Sequence, residues 1–369
     1  MKKILFVSAT NFVNDTFSGG KKASLRNYQV NEKIFGNENI DVIIFGKNEI
    51  KSTVGNFDFC YNSKSKFETM LNCFRGYTRG YTKFCENYII QKIKKNNYDY
   101  IWIDFSGYGV SINRIKECFS GKIITFFHNV EYYYELNRAN KESILYKISA
   151  NAIKKAEKNA IEISDYIIAI SDRDSDLINE LYGRKPDIVL NASFKDIVDE
   201  DLLKHTNIED YLLFVGADFG PNVDGIKWFC KNVMPKIKNK LLIVGKGMEK
   251  YRAELNSKNI EVIGTVADLS VYYYKAAAVV MPIRYGDGMK IKTAEALMYG
   301  RTVFGTAEAF VGYDIEEGKE GYICNTVKEF IEKIEICDKK GYNVASRNLY
   351  KGNYSLESSV NKYKCICKV

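Results

Sequence analysis

The amino-acid sequence predicts an α/β protein with two doubly wound domains that face a central cleft. Short apolar runs alternate with longer helical patterns along the whole chain, which is typical of parallel α/β construction. The runs are dense in Ile, Val and Leu with little polar alternation, as expected of strands that helices cover on both faces. The pattern restarts near residue 210, so we predict two sheets and two domains.

The predicted strands follow in order along the chain. Those of the first domain lie at 3–9, 41–46, 100–105, 122–128, 165–171 and 187–192. Those of the second domain lie at 211–216, 240–245, 260–265, 277–283 and 301–306. Helices are predicted within 130–162 and near 171–182, 222–237 and 288–299. Ligands bind at the carboxyl ends of the strands in doubly wound sheets, so the loops at those ends are where we look for chemistry.

A polar, acidic stretch, KDIVDEDLLKHTNIED (195–210), separates the two domains. We predict an N-terminal domain at 1–195 and a C-terminal domain at 196–350. The last residues, 351–369, are predicted to form a helix that packs back toward the first domain.

The composition is that of an ordinary folded protein, with 369 residues, 46% hydrophobic and 27% charged. No apolar run approaches the ~20 residues of a membrane-spanning helix. The start MKKILFVSA has only a short apolar run, so we interpret it as a buried strand and not as a signal peptide. Nine cysteines without a Cys-x-x-Cys pair and only two histidines argue against a metal site. They predict reduced thiols in a cytoplasmic protein.

One segment, 63–95, carries much of the net charge of +8: eight lysines and arginines against two glutamates, a net of +6. This basic segment also holds several aromatic residues. We first interpret it as a helix with a packed apolar face, and second as a docking surface for an anionic membrane. Nucleic acid is the third interpretation, and without a recognisable nucleic-acid module we do not predict it.

Two features follow predicted strands of the first domain. Gly19 and Gly20 precede a helix after the first strand, where backbone N–H groups can approach a phosphate. His128 ends the fourth strand. It could recognise a sugar hydroxyl or transfer a proton, or it could be a structural histidine at a strand end, and both interpretations stay open.

The acidic run SDRDSD (171–176) could bind a divalent cation. Ser171 and Asp172 follow a strand and precede a helical pattern. We therefore favour an N-cap with an acidic first turn.

The segment PIRYGDGMKIKTAEALMYG (282–300) combines glycines, lysines and a glutamate at a strand-to-helix turn. With a helix beginning near Gly288, the amides of 286–289 and Lys292 could bind a diphosphate. Lys292 and Glu295 lie three residues apart on one helix face, and the Glu295 carboxylate could accept hydrogen bonds from ribose hydroxyls. The alternative is a Lys292–Glu295 surface ion pair. We favour the ligand site because of the glycines and the apolar neighbours on that face.

Several motifs in order resemble the family-4 glycosyltransferases of GT-B fold. They are ISDRDSDLI (170–178), FVGADFGPNVDGIKWFCKNVMPKI (214–237), LLIVGKG (241–247) and the segment from IEVIGTVADL to GRTVFGT (260–306). The resemblance spans most of the chain and is weakest over 47–97. It implies two Rossmann-like domains with a nucleotide-sugar donor against the C-terminal one.

The resemblance also implies roles for individual residues. Glu295 matches the second glutamate of the family motif, which binds the ribose, and Asp287 stands where the first glutamate falls. Lys292 resembles the basic residue on the diphosphate. His128 resembles the cleft histidine that contacts the donor sugar. The implied catalytic residues are thus His128 and Asp287, and the implied donor-binding residues are Gly19, Gly20, Gly216, Gly264, Thr265, Val266, Gly286, Gly288, Met289, Lys290, Lys292 and Glu295.

The function implied is retaining transfer of a sugar from a nucleoside-diphosphate sugar to a glycan or lipid-linked acceptor, in cell-surface polysaccharide or glycoconjugate synthesis. No metal or other cofactor is expected. The basic segment would face the acceptor or the inner face of the membrane. Ala217 and Asp218 stand where the family often has an arginine after its Phe-Val-Gly strand. Because of this difference and Asp287, a non-catalytic partner subunit is one alternative, and a nucleotide-sugar epimerase is another.

Overall fold

The computed structural model describes residues 2–13, 19–46, 52–61, 66–78, 81–138, 144–286, 289–337 and 341–367. The chain divides into two compact units, one of Met1–Ser193 with Ser359–Val369 and the other of Phe194–Ser358. Each unit has one sheet with helices around it, which confirms the predicted α/β class. Among the described residues, no helix has the length and apolar character needed to cross a membrane.

The first unit is built on an eight-stranded sheet of order β3-β4-β2-β1-β5-β6-β7-β8. All its pairs are parallel except the β3–β4 hairpin. Its elements are β1 Ile4–Ser8, α1 Gly19–Phe35, β2 Ile40–Gly46, β3 Ser52–Val54, β4 Phe57–Tyr61, α2 Lys66–Phe74, α3 Lys83–Lys95, β5 Tyr100–Ile103, α4 Ile112–Cys118, β6 Lys122–Phe127, α5 Glu131–Arg138, α6 Ile144–Ile163, β7 Tyr166–Ala169, α7 Asp172–Tyr182 and β8 Ile188–Val189.

The second unit is built on a six-stranded parallel sheet of order β11-β10-β9-β12-β13-β14. Its elements are α8 Glu200–His205, β9 Glu209–Val215, α9 Gly220–Asn232, β10 Lys240–Val244, α10 Arg252–Leu255, β11 Ile260–Gly264, α11 Ser270–Lys275, β12 Ala276–Met281, α12 Ile291–Met298, β13 Val303–Gly305, β14 Gly321–Ile323, α13 Val327–Ile336 and α14 Val344–Leu349. A π-helix at Tyr350–Tyr354 leads into α15, Leu356–Cys367.

The central strands are buried on both faces, as their apolar runs predict. Every residue of β1, β5 and β12 is buried, and helices shield them from water. Burial of apolar surface contributes roughly 25 cal/mol per Å², so these strands supply much of the driving force for folding. The end of the chain also packs in the first unit, where Tyr363 meets the Trp102 ring at 5.2 Å and the Tyr100 hydroxyl donates to the Cys367 carbonyl at 2.6 Å.

All eleven predicted strands are present, but three further strands were missed. The β3–β4 hairpin turns at Gly55, where φ is +61°, and its strands are short and half polar. The third missed strand, β14, has only three residues. None of the three missed strands has a run of Ile, Val and Leu, so each depends on pairing with a neighbour and its own sequence carries little signal.

Two helix starts also differ from the prediction. The helix expected near Gly288 begins at Ile291, and Lys290 before it has extended backbone. Gly19 and Gly20 are the first two residues of α1, and the prediction placed them before it. Gly286 and Met289 therefore precede the helix.

The basic segment contains two helices, α2 and α3, separated by a turn at Gly76. On α3, Cys85, Ile89 and Ile93 are buried, so the packed-face interpretation is confirmed there. Phe67 and Phe74 on α2 are about two-thirds exposed.

Candidate active site

Lys292 lies in the first turn of α12, at the carboxyl edge of the second unit's sheet. Its ammonium donates to the side-chain oxygen of Asn222 on α9. The amide nitrogen of Asn222 in turn donates to the Ala217 carbonyl at 2.9 Å, which leaves the amide oxygen facing the lysine. The ammonium also lies 5.5 Å from the centre of the Phe214 ring, within range of a cation–π interaction.

The surroundings of Lys292 change its acidity. Burial lowers the pKa of Lys292 to about 8, although nearby Glu295 opposes the shift and Lys290 adds to it. Burial disfavours the charged form of an amine. The direct contacts of the Lys292 ammonium, Asn222 and the Phe214 ring, are neutral. A bound diphosphate would therefore supply a negative charge in direct contact with it.

Glu295 lies one turn further along the same helix and is half-buried. The Tyr273 hydroxyl donates to one of its carboxylate oxygens at 3.3 Å. Tyr273 is itself buried and stacks on Tyr299 with ring centres 4.8 Å apart. A rigid aromatic pair therefore orients the carboxylate.

Lys290 points to a protein carboxylate. Its ammonium lies 2.7 Å from an oxygen of Glu308, and its carbonyl accepts from the Tyr313 hydroxyl at 2.8 Å. Of the two lysines, Lys292 is therefore the better diphosphate candidate, because a carboxylate already compensates Lys290.

The loop before α12 is only partly described. Gly286 has φ of +143°, a conformation that favours glycine. Met289 packs against Gly312, where a side chain would overlap its Cγ. Asp287 and Gly288 lie outside the described residues, so their predicted roles stay predictions.

The loops after three neighbouring strands of the second unit are held close together. Gly216 donates its N–H to the Val244 carbonyl at 3.0 Å, and Gly245 donates to the Gly264 carbonyl at 2.8 Å. A side chain on Gly245 would overlap the carbonyl of Gly216. This packing brings Gly216 and Gly264, two predicted donor-binding residues, to one edge of the sheet.

Thr265 is fixed by Glu249, a residue that the sequence did not single out. The Glu249 carboxylate accepts from the Thr265 N–H at 3.1 Å and from its hydroxyl at 3.1–3.2 Å. These hydrogen bonds help lower the pKa of Glu249, after its own backbone N–H. The half-buried Val266 next to Thr265 packs against the core of the unit.

In the first unit, Gly19 and Gly20 begin α1. The first N–H groups of a helix have no partner within it, and a helix N-terminus favours an anion. The backbone position of the two glycines thus fits phosphate binding, although a helix start by itself does not define a site.

His128 follows β6 and contacts a buried carboxylate. Its Nε2 lies 3.3 Å from Oδ2 of Asp104, with 13% of the histidine side chain exposed. Asp104 also accepts from the side chains of Asn27 at 2.6 Å and Trp102 at 3.1 Å. Burial by itself raises the pKa of Asp104, but the neighbouring histidine and hydrogen bonds outweigh it and hold that pKa below its usual range.

Glu157 on α6 holds the start of α5, just after His128. Its carboxylate accepts from the backbone N–H of Glu131 at 2.8 Å and of Tyr132 at 3.3 Å. The hydroxyls of Ser106 and Tyr182 also donate to it, at 3.1 and 2.7 Å. The buried Glu157 carboxylate thus caps the N-terminus of α5, although it lies on another helix.

The SDRDSD stretch is a helix cap, as favoured from the sequence. The Ser171 side chain accepts from the Asp174 N–H at 3.1 Å, and Asp172 and Asp174 lie in the first turn of α7. Within the described ranges, no group of three or more His, Cys, Asp or Glu side chains is arranged to hold a metal ion.

The sequence found the charged residues of this candidate site and missed the side chains that orient them. Glu249, Asp104 and Glu157 lay in none of the motifs that carried the resemblance. Asn222 lies within the motif 214–237, at the start of α9, but its side chain was not singled out.

Both units have the doubly wound architecture of the GT-B fold, and Lys292 and Glu295 lie together on α12 of the second unit. Residues 209–337 match the family model described as Glycosyl transferases group 1. The matched residues include Asn222, Lys292 and Glu295. The resemblance to glycosyltransferases of GT-B fold stated from the sequence is thereby confirmed, and its assignment to family 4 stays a prediction. No curated protein sequence matches the chain.

Solved structures agree on the fold. The sucrose-phosphate synthase of Thermosynechococcus elongatus is 14% identical, with 100% of this chain and 98% of that chain covered and a TM-score of 0.66. The lipopolysaccharide outer core galactosyltransferase WaaB is 15% identical, with both chains fully covered and a TM-score of 0.65. Anabaena Alr3699/HepE, solved with UDP-glucose, is 12% identical, with both chains fully covered and a TM-score of 0.62.

Proposed function

We propose that this protein transfers a sugar from a nucleoside-diphosphate sugar to a glycan or lipid-linked acceptor, with retention at the anomeric carbon. The observation that carries the proposal is the arrangement on α12. Lys292 is held by a neutral amide, and Glu295 follows on the same helix face. The group 1 match over these residues and the UDP-glucose complex of a structurally similar protein support it.

In this proposal the second unit binds the nucleotide. The Lys292 ammonium and the backbone amides of the loop before α12 bind the diphosphate. Glu295 accepts from the ribose hydroxyls, and the backbone at 264–266 holds the base. Asp287 is proposed to contact the donor sugar in place of the family glutamate.

The chemistry requires stabilisation of charge on the leaving group. As the bond from the anomeric carbon to the diphosphate breaks, negative charge grows on the diphosphate. Preorganised donors stabilise such charge best, because they need not reorient during the reaction. Lys292 supplies the cation in the second unit, and in the first unit the helix start at Gly19 and Gly20 is proposed as a further position for anion binding. A metal ion is then not required.

The acceptor-side proposal concerns the basic segment. Exposed Phe67 and Phe74 on α2 and the half-exposed Phe84 on α3 lie in a stretch with a net charge of +6. Aromatic side chains and lysines together suit the surface of an anionic bilayer, where a lipid-linked acceptor would lie. We expect sedimentation with phosphatidylglycerol vesicles and not with phosphatidylcholine vesicles. Equal recovery with both would contradict membrane docking by charge.

The donor proposal is tested by a thermal-shift screen with UDP, GDP, ADP and their glucose conjugates. A ligand that binds only the folded state raises the melting temperature. We expect at least one nucleotide to stabilise the wild-type chain, and Lys292→Ala to remove that shift. Lys240→Ala is the matched control, because Lys240 pairs with Glu261 at the opposite end of the sheet's strands. Full stabilisation of the Lys292→Ala variant would contradict the diphosphate assignment.

Turnover then separates the candidate activities. Release of nucleoside diphosphate that depends on an added acceptor supports transfer. Isomerisation of the sugar without such release supports an epimerase. If no nucleotide or nucleotide sugar binds, the result supports the alternative that the protein is a non-catalytic partner subunit.

A further inference from the structure

The contact between Asp104 and His128 determines where the histidine carries its proton. We propose that Asp104 is a positioning residue that holds His128 as a neutral imidazole protonated on Nε2, so that Nδ1 is a hydrogen-bond acceptor for a ligand. The proton position rests on the contacts and charges around His128 and does not depend on the proposed function. Only the identity of the ligand, a hydroxyl of the donor sugar, rests on the proposed function.

The first step concerns the carboxylate. Asp104 is 1% exposed, and its Oδ1 accepts from Asn27 and Trp102. Its Oδ2 accepts from the Ser8 hydroxyl at 3.3 Å and faces His128 Nε2 at the same distance. Neutral donors and the nearby Arg26 guanidinium stabilise the ionised form of this carboxylate, and an ionised carboxylate can only accept. The Nε2 atom of His128 must therefore be an N–H.

The second step concerns the other ring nitrogen. His128 Nδ1 is buried and has no hydrogen-bonding partner among the described residues. A protonated Nδ1 would leave a buried N–H without an acceptor, which costs about 1–3 kcal/mol. The aromatic neighbour Phe126, 4.8 Å away and nearly perpendicular, supplies no acceptor in the ring plane. An unprotonated Nδ1 therefore costs less free energy in this buried position than a protonated one.

The third step is charge balance. Buried Arg26 lies over Phe126 at 5.3 Å and interacts electrostatically with Asp104. Burial lowers the pKa of Arg26 to about 10, and Asp104 opposes the shift, so the guanidinium is charged at neutral pH. The positive charge of Arg26 therefore already balances the negative charge of Asp104. The other charged neighbour, Glu131 at the start of α5, has its pKa raised by burial. A neutral imidazole fits these surroundings.

The consequence for chemistry is specific. A histidine with a bare Nδ1 accepts a hydrogen bond from a hydroxyl or an amide, and it has no proton to give on that side. His128 would therefore orient a sugar hydroxyl and would not act as a general acid through Nδ1. Asp104 acts through His128 and needs no contact with a ligand.

The proton position can be measured directly because the chain has only two histidines. We would label the full-length protein with ¹⁵N-histidine and record long-range ¹H–¹⁵N correlations at about pH 8, above the ordinary histidine pKa of about 6.5. The bare nitrogen of a neutral imidazole resonates far downfield of the N–H nitrogen. A His205→Gln variant leaves one spin system and so assigns His128. We expect Nε2–H and a bare Nδ1 without any ligand present.

Asp104→Asn provides the sharper test. The carboxamide would keep its oxygen toward the two N–H donors, Asn27 and Trp102, and turn its NH₂ toward His128. That NH₂ would donate to Nε2 and invert the tautomer to Nδ1–H, as in the known effect of such a change in the serine-protease triad. Ser8→Ala is the control, because it removes another donor from the same carboxylate oxygen and should leave the tautomer unchanged.

Three results would overturn the proposal: a wild-type His128 with its proton on Nδ1, a doubly protonated ring at about pH 8, or an Asp104→Asn variant that keeps Nε2–H. If that variant does not fold, the wild-type spectrum still decides. The spectra need neither nucleotide nor acceptor, so a failed donor screen would leave the proton position intact. An unexpected proton position would likewise leave the result of the donor screen intact.

Discussion

Lys292 donates to the side-chain oxygen of Asn222, and the Ala217 carbonyl holds the other end of that amide at 2.9 Å. The lysine that we assign to the diphosphate is thus oriented by a neutral partner, which does not compete with the ligand for its charge. A carboxylate in that place, such as Glu308 beside Lys290, would compete with the ligand. The contrast between the two lysines underlies the first two predictions.

Removing the amide should weaken diphosphate binding. We predict that Asn222→Ala lowers the affinity for the nucleotide found in the screen about tenfold, since a hydrogen bond to a charged group contributes about 1.5–3 kcal/mol. Titration calorimetry at about pH 7.5 measures this change. Asn232→Ala is the matched control, because Asn232 lies on the same helix and donates to the Trp228 carbonyl at 2.8 Å. An equal loss in both variants would indicate damage to α9 and not to the site.

Nucleotide affinity should fall at alkaline pH. The pKa of Lys292 is lowered to about 8, mainly by burial, so above about pH 8 the free protein loses the charge that the diphosphate needs. We expect constant affinity below this value and a fall approaching tenfold per pH unit above it, with uptake of one proton on binding. Calorimetry in buffers of different ionisation enthalpy detects that proton.

Lys292→Arg is the companion variant for the pH experiment. Arginine stays charged through this range, so its nucleotide affinity should lose the pH dependence even if it is weaker throughout. A pH dependence that survives in Lys292→Arg would assign the titration to another group.

Glu157 should make the first unit less stable as pH rises from acid to neutral. Burial raises its pKa from the ordinary 4.5 to about 7, although its hydrogen bonds, that from Tyr182 foremost, oppose the shift. Between these values the folded state binds more protons than the unfolded state, so the free energy of unfolding falls as pH rises and levels above about pH 7. The change is at most about 3 kcal/mol, at about 1.4 kcal/mol per pKa unit.

Urea unfolding of the wild type and Glu157→Gln at about pH 5 and about pH 8 isolates this effect. Glutamine does not titrate, so the stability of the wild type relative to the variant should be lower at the higher pH. A relative stability that rises with pH would show that the hydrogen bonds outweigh burial.

Gly225 in α9 should not tolerate a side chain. A methyl group there would overlap the carbonyl oxygen of Pro282, at the end of β12. We predict that Gly225→Ala lowers the free energy of unfolding by about 1–3 kcal/mol, because backbone must shift to make room. Gly352→Ala is the control, since nothing lies within 4 Å of the added methyl. Equal stability of the two variants would show that α9 can move away at little cost.

Local sequence patterns predicted most of the fold, for a simple physical reason. Strands buried on both faces must be almost wholly apolar, so β1, β5, β9 and β12 could be read from their own residues. The missed strands β3, β4 and β14 (STV, FDFCY and GYI) lack a run of Ile, Val and Leu, so they form through pairing with a neighbour that local sequence does not identify. The start of α12 was placed too early because the chain stays extended at Lys290 and the helix begins only at Ile291, a choice that the nearby glycines leave open in the sequence.

The sequence by itself determined the α/β class, the position of His128 at the end of a strand and that of Lys292 and Glu295 on a helix that follows one. Tertiary structure alone decided which groups these residues meet: Asn222 for Lys292, Tyr273 for Glu295, and Asp104 for His128. Asn222 is 70 residues from Lys292 along the chain, and Tyr273 is 22 residues from Glu295. The charge state and proton position of a buried group depend on its nearest neighbours in space, and only folding brings those neighbours together.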